Sequence, residues 1–280
     1  MHPRQILNQE DLFAKKKFGQ NFLLNSQIAD MIVKKAQISN RDYVMEIGAG
    51  LGALTIAIAK KALHVTAIEK DEQIAFVLQK IIKEKKIKNV TIIKKDFLKL
   101  DIKKIMKAKK CIAMGNLPYN ISSQVLFKLI IEKDNIKRAV LMFQKELAQR
   151  ILSLPREKNY SRLSAVVQYA ANINCVGNLK PSCFFPEPSV NSSLLKFDFL
   201  KQEKDDSNKE KLLFNVIKAC FSKRRKTLNN SLVSCEFGFD KSFVEDVLEI
   251  AGINKKRRAQ TLTIQEFKSL TSAIYEKKRL

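Results

Sequence analysis

The sequence predicts an α/β fold built on a mostly parallel sheet, followed by a small all-helical part. Two patterns carry that prediction. From about Asp42 to Leu200, short apolar runs alternate with amphipathic stretches, as strands and helices do around a parallel sheet. Further on, LLFNVIKACF, VEDVLEI and IQEFKSLTSAIY keep helical apolar spacing, with no alternating runs between them.

Taken in order, strands are expected at Tyr43–Ile47, His64–Glu69, Val90–Lys94, Cys111–Met114, Ala139–Phe143, Val166–Asn172 and Leu194–Phe199, which makes a seven-stranded sheet. Helices are expected between the first five, at Leu54–Lys61, Asp71–Lys86, Ile102–Lys107 and Ser122–Glu132. The last two strands lie close together in sequence, which suggests an antiparallel pair at one edge. The segment KQEKDDSNKE at 201–210 is charged and lacks apolar periodicity, so it reads as a linker. The domains are therefore expected to span 1–203 and 204–280.

At 280 residues and 45% apolar content, the chain can furnish about two domains and a sizeable core. Its 52 Lys and Arg against 28 Asp and Glu give +24, which points to a polyanionic partner. A compositional bias toward lysine accounts for part of that excess. No apolar run approaches the ~18–20 residues of a membrane span, and Met1–Glu10 lacks a signal-peptide pattern, so a cytoplasmic protein without membrane attachment is expected. The five cysteines are scattered, with no C-x-x-C pair, and indicate neither a disulfide framework nor a metal site. With only two histidines, His2 and His64, chemistry must proceed almost without an imidazole base.

The first strand runs into E-I-G-A-G-L-G-A at 46–53 and then a helix, which places a glycine loop at a strand-to-helix turn. Such a loop lets backbone approach a ligand, and the helix start offers free N–H groups. Gly48, Gly50 and Ala53 also fit the dinucleotide pattern G-x-G-x-x-A, with Glu69 about twenty residues on to receive a ribose, so an NAD enzyme has to be weighed. Against it, Asp96 and Asn116 deliver polar groups at the next two strand ends, where open parallel sheets bind ligands. A nucleoside-sized cofactor would meet all of these groups. Glu69 suits ribose hydroxyls, Asp96 an exocyclic adenine amine, and the glycine loop a short zwitterionic tail. Asp96 can equally serve as a cap of the segment that follows it. Upstream, KKKFGQNFL at 15–23 joins basic residues to Asn21, Phe22 and Leu23, and spacing alone makes Asn21 a turn residue and Phe22 a core anchor.

The exit GNLPY at 115–119 offers acceptors for an exocyclic adenine amine, whose lone pair is delocalised and poorly nucleophilic. The Asn116 side-chain oxygen and the Leu117 carbonyl can both accept from it, and Pro118 biases Leu117 toward an extended conformation that projects that carbonyl. Tyr119 offers a face to the base, worth roughly 1–3 kcal/mol if it stacks. The competing reading is a plain turn with Tyr119 packed inward. In CFFPEPSVNSS at 183–193, Phe184 or Phe185 can close the other face of a flipped-out base, the remaining ring belonging to the core. KRRKTL at 223–228 and KKRRAQ at 255–260 place basic clusters on the helical part, as phosphate contacts or as solvated surface.

The ordered set FGQNFL, EIGAGLGALT, AIEKD, KKDFL, GNLPYNIS, FQKELAQRI, YSRLS, FFPEPSV, RRKTL and RRAQTLTIQEF resembles the small-subunit ribosomal RNA adenine dimethyltransferase family across nearly the whole chain. That resemblance implies a class I, Rossmann-like methyltransferase sheet using S-adenosylmethionine. It implies dimethylation of the N6 amines of two adjacent adenosines near the 3′ end of 16S rRNA within the 30S subunit, and a role in subunit biogenesis. Cofactor contacts would be Asn21, Leu23, Gly48, Glu69, Asp96 and Asn116, which moves Asn21 from turn residue to cofactor neighbour. Asn116, Pro118 and Tyr119 would line the target amine, beside the Leu117 carbonyl already argued, with Phe184 as the opposing ring. A monomer without a metal ion is expected. Val190-Asn191-Ser192 stands where relatives commonly carry an aspartate in the middle, so one carboxylate is absent here.

Overall fold

The computed structural model describes residues 2–15, 18–200, 207–223 and 225–278. In chain order the elements are α1 (Pro3–Gln9), β1 (Phe22–Leu23), α2 (Ser26–Ala36), β2 (Tyr43–Ile47), α3 (Ala53–Ala59), β3 (His64–Glu69), α4 (Glu72–Glu84), β4 (Val90–Lys94), α5 (Ile102–Ile105), β5 (Cys111–Asn116), α6 (Ser122–Ile131) and β6 (Ile136–Gln144). Then follow α7 (Lys145–Leu152), α8 (Arg162–Ala170), β7 (Ala171–Leu179), β8 (Phe184–Phe185), β9 (Ser192–Phe199), α9 (Ser207–Cys220), α10 (Leu228–Val233), α11 (Lys241–Ile250) and α12 (Ile264–Lys277). The chain forms two compact units, Met1–Ala148 with Ala171–Leu200, and Gln149–Ala170 with Lys201–Leu280. The boundary expected between 203 and 204 falls outside the described residues, and of the expected linker 207–210 form the first turn of α9.

The first unit is built on a seven-stranded sheet in the order β4-β3-β2-β5-β6-β9-β7. Strands β4 through β6 pair in parallel, while β9 runs antiparallel to both β6 and β7. The central strands are covered on both faces, so they read as continuous apolar runs, and Val44, Met45, Ile112, Ala113 and Met114 are fully buried. Gly115 is required where β5 passes β2, because a Cβ there would lie 2.5 Å from the Ile47 carbonyl oxygen. Asn25 and Asp71 cap α2 and α4 by accepting from Ile28 N and Gln73 N. The parallel strands thus end together at Ile47, Glu69, Lys94 and Asn116, and all four turns that follow carry polar or glycine residues.

One element differs from the expectation for this region. The run read as a strand at Val166–Asn172 is helical through Ala170, and strand β7 begins at Ala171. Helix α8 is buried on nearly every side, including Leu163, Ser164, Ala165, Val166, Val167 and Ala170, so it shows no amphipathic stripe and imitates a buried strand. Its start was marked by Ser161, whose Oγ accepts from Ser164 N at 3.5 Å. Strand β7 itself, ANINCVGNL, is largely polar and exposed between its ends.

In the second unit, α9 to α12 surround a core that includes Val216, Ile217, Leu228, Leu232, Val247, Phe267, Leu270 and Ile274. A capping box of Thr263 and Glu266 starts α12, and Arg257 bonds the same Glu266. The Leu228 N–H donates to the Arg257 carbonyl at 2.8 Å, joining the start of α10 to the RRAQTL segment. Arg257 is therefore committed within the unit, whereas Lys223, Arg225, Lys226, Lys255, Lys256 and Arg258 are exposed.

Candidate active site

A cleft of about 1160 Å³ opens at the carboxyl ends of the parallel strands in the first unit. Its lining includes all six residues expected to meet a cofactor: Asn21, Leu23, Gly48, Glu69, Asp96 and Asn116. The glycine loop bends through positive φ at Gly48 (74°), Gly50 (54°) and Gly52 (85°). A Cβ on Gly50 would press within 3.2 Å of the Phe22 ring, and one on Gly52 would strike Leu78 at 2.4 Å. Glycines there let the loop lie flat beneath the N-terminal segment.

Glu69 closes β3 with both oxygens engaged. Oε2 accepts from Gly50 N at 2.8 Å and Oε1 from Asp71 N at 2.9 Å. Burial raises its pKa above the usual carboxylate range, only partly offset by those backbone donors. Asp96 does cap the turn Phe97–Lys99, accepting from Leu98 N, and its other oxygen meets Lys70 Nζ at 2.8 Å. Burial pushes its carboxyl up, but the Lys70 ammonium and the Leu98 N–H outweigh it and hold Asp96 below its ordinary value. A third carboxyl, Glu46, was not singled out in the sequence, although an acid inside the run YVMEI was a signal. It is 1% exposed, accepts from Thr55 Oγ1 at 2.5 Å, and burial pushes its pKa up to about 8.

The segment before β1 is tied across this cleft. Lys15 Nζ and Gln20 Nε2 both donate to Asp71, the cap of α4, each at 3.0 Å. Asn116 Nδ2 donates to the Asn21 carbonyl at 2.7 Å. Strand β1 then pairs with β8, Phe22 opposite Phe185 and Leu23 opposite Phe184, so FGQNFL and FFPEP meet as two strands. These links were invisible in the sequence because each joins residues far apart in it.

The residues expected at the target amine divide. Asn116 and Pro118 line the cleft, whereas the Leu117 side chain is buried, 2% exposed. Tyr119 is half-buried beside the cleft, and its hydroxyl bonds Ser192 Oγ at 2.8 Å. Phe184 is not presented to the cleft: it is 1% exposed, in a core cluster with Leu23, Met142, Leu179 and Leu194. Phe185 is the partly exposed ring, packed edge-on against His2 at 5.6 Å. The exposed Asn191 contributes its carbonyl, which accepts from Lys145 N at 2.9 Å, so that contact does not depend on the carboxylate this chain lacks.

The donor set fits S-adenosylmethionine and not a pyrophosphate. The strand ends bring Glu46, Glu69 and Asp96 to the cleft, which Glu10 and Glu84 also line, and Gly50 N–H, a donor that a phosphate would use, is already given to Glu69. The carboxyl groups of Glu69 and Asp96 suit ribose hydroxyls and an exocyclic amine. Among the described residues no group of three or more His, Cys, Asp or Glu is placed to hold a metal ion.

Comparisons with known proteins agree with this arrangement. The sequence profile of the ribosomal RNA adenine dimethylase family matches residues 12–270. The chain is 46% identical over 274 residues to a ribosomal RNA small subunit methyltransferase A of Desulforapulum autotrophicum, covering 98% of this chain and 96% of that one. It is 40% identical to the protein of the same name from Clostridium botulinum, covering 99% of each. A dimethyladenosine transferase from Plasmodium falciparum superposes with a TM-score of 0.78 at 30% identity, over 92% of this chain and 98% of that chain. The 23S rRNA methyltransferase ErmE shares the fold, with a TM-score of 0.67 at 22% identity over 91% of this chain and 100% of that one. With the family profile covering most of its length and the class I methyltransferase sheet beneath the cleft, the chain belongs to the ribosomal RNA adenine dimethylase family.

Proposed function

We propose that this rRNA adenine dimethyltransferase uses S-adenosylmethionine to dimethylate the N6 amines of two adjacent adenosines near the 3′ end of 16S rRNA in the 30S particle, and thereby takes part in subunit biogenesis. When bound, S-adenosylmethionine supplies an electrophilic methyl group on a sulfonium sulfur. The chain's own residues do the rest. Glu69 takes the ribose hydroxyls, Asp96 the cofactor's adenine amine, and the Gly48–Gly52 loop its amino-acid tail. The observation that carries the reading is the orientation of Asn116. Its Nδ2 is committed to the Asn21 carbonyl, which leaves Oδ1 to accept from the target amine.

The Leu117 carbonyl is the second acceptor, and together they draw the amine nitrogen toward tetrahedral geometry. Tyr119 supports the base from one side, while Phe184 sits in the core and Phe185 packs on the cluster of Leu7, Phe22 and Ile74. The N-methyl ammonium product is acidic and loses its proton to water, so no imidazole is needed. Rate enhancement comes mainly from alignment of amine and methyl group, which can supply up to ~7–11 kcal/mol. The test is mass spectrometry of the 16S 3′ region after incubating unmethylated 30S particles with the protein and S-adenosylmethionine. Dimethyladenosine at two neighbouring positions is expected. Unmodified adenosines there, with methyl transfer to 23S rRNA in a parallel incubation, would overturn the substrate.

A further inference from the structure

We infer that the β4 edge of the sheet is a docking surface for the RNA backbone, separate from the basic clusters of the helical unit and resting on the reading of this chain as an rRNA-modifying enzyme. Residues 80–110, which run from the end of α4 through β4 and α5, hold thirteen lysines against Glu84, Asp96 and Asp101. That surplus of ten is a large part of the +24 in about a ninth of the chain. All thirteen lysines are exposed.

Three acids cannot neutralise them. Asp96 is bonded to Lys70, and Asp101 caps α5 by accepting from Lys104 N. Glu10 reaches in to pair with Lys80. Lysine on an edge strand does block strand-to-strand association, but one or two suffice for that, and a concentration of one sign is self-repulsive in the folded state. A polyanion relieves the repulsion.

One part of this stretch reaches the cleft, which Lys80, Lys85 and Lys95 line, while Lys109 lies at the opposite strand ends, its Nζ donating to the Tyr43 hydroxyl at 2.6 Å. The five residues of β4 extend about 16 Å at the usual rise per residue, long enough to face several successive phosphates. Phe76 on α4, 52% exposed, stands between Lys80 Nζ at 4.9 Å and Lys94 Nζ at 5.8 Å and offers a ring beside the charges. Lysines are point charges without the planar fork that reads base edges, so this surface binds phosphates without sequence readout.

The test compares the full chain with a variant carrying Lys94→Gln, Lys99→Gln, Lys103→Gln and Lys104→Gln, none of which lines the cleft. Binding to 30S particles and to an unrelated RNA duplex is measured against salt, alongside methylation kinetics. The variant should raise KM for the particle about tenfold, flatten the slope of log K against log salt by roughly 3 to 4, and keep kcat. Four Lys→Arg substitutions at these positions should retain wild-type binding. A wild-type slope and KM in the glutamine variant would overturn the surface. If wild-type protein fails to methylate 30S particles, the substrate assignment falls, while the duplex slope still reads the edge.

Discussion

Asn116 Nδ2 donates to the Asn21 carbonyl at 2.7 Å, and that bond decides which end of the amide faces the cleft. Asn116→Asp keeps the shape but sets a carboxylate oxygen against that carbonyl. An unmatched buried acceptor pair costs about 1–3 kcal/mol. Methyl transfer in single turnover should slow about 10- to 100-fold, while S-adenosylmethionine affinity, followed by calorimetry, should change much less. A wild-type rate would remove Asn116 Oδ1 as the acceptor of the target amine.

Glu69 holds the glycine loop and the start of α4 through Gly50 N and Asp71 N, besides its proposed ribose contact. Glu69→Ala removes all of these together. Calorimetric titration should show S-adenosylmethionine binding weakened at least tenfold, by the ordinary worth of two hydrogen bonds to a charged group. Unchanged affinity would contradict the ribose role.

Glu46 makes a prediction about pH. Burial raises its folded-state pKa to about 8 from an ordinary 4.5. Below pH 4.5 the carboxyl is neutral in both states. As pH rises from there toward 8, the unfolded chain releases its proton first, so this group's contribution to stability is progressively lost and levels off above 8. Glu46→Gln keeps a neutral partner for Thr55 and cannot ionise. Urea unfolding should show the variant gaining on the wild type between pH 5 and pH 8, by on the order of a few kcal/mol. Parallel curves for the two proteins would mean that Glu46 is ionised in the fold.

Strands at 43–47, 64–69 and 90–94 were legible residue for residue: the first two, inside a parallel sheet, read as apolar runs bounded by turns, and the edge strand 90–94 carries the β-branched run VTII between polar neighbours. The same rule misled at Val166, where a helix buried all round carries no stripe to mark it. The two-residue strands β1 and β8 have too little sequence to show a period, and they owe their existence to pairing across the chain. The six residues expected at the cofactor do line one cleft, since strand ends of a parallel sheet converge. Asn21 reached that set only through family resemblance. Phe184 and Phe185 could not be told apart in sequence, because neighbouring strand residues point to opposite faces and nothing local says which face is core.

The bond between Tyr119 and Ser192 bears on the second methylation. The Tyr119 ring is held at its base by the turn after Pro118, whose carbonyl accepts from Ser122 Oγ at 2.9 Å, and at its tip by the fully buried Ser192. A ring pinned at both ends keeps one face fixed for the base, and the second transfer must align an amine already bearing a methyl group. Tyr119→Phe and Ser192→Ala each break the same bond. Each should slow transfer by roughly threefold to tenfold and raise the ratio of monomethyl to dimethyl adenosine among products, with S-adenosylmethionine affinity kept. The double variant should be no worse than either alone, as expected when two groups act through one contact. Loss of folded protein would lower total product and leave the ratio alone, so an unchanged ratio in both single variants would reduce Ser192 to a structural partner. Tyr119→Ala goes further by removing the stacking face itself, and it should cost more than Tyr119→Phe; equal rates for those two would show that the phenol, and not the ring, is what the base requires.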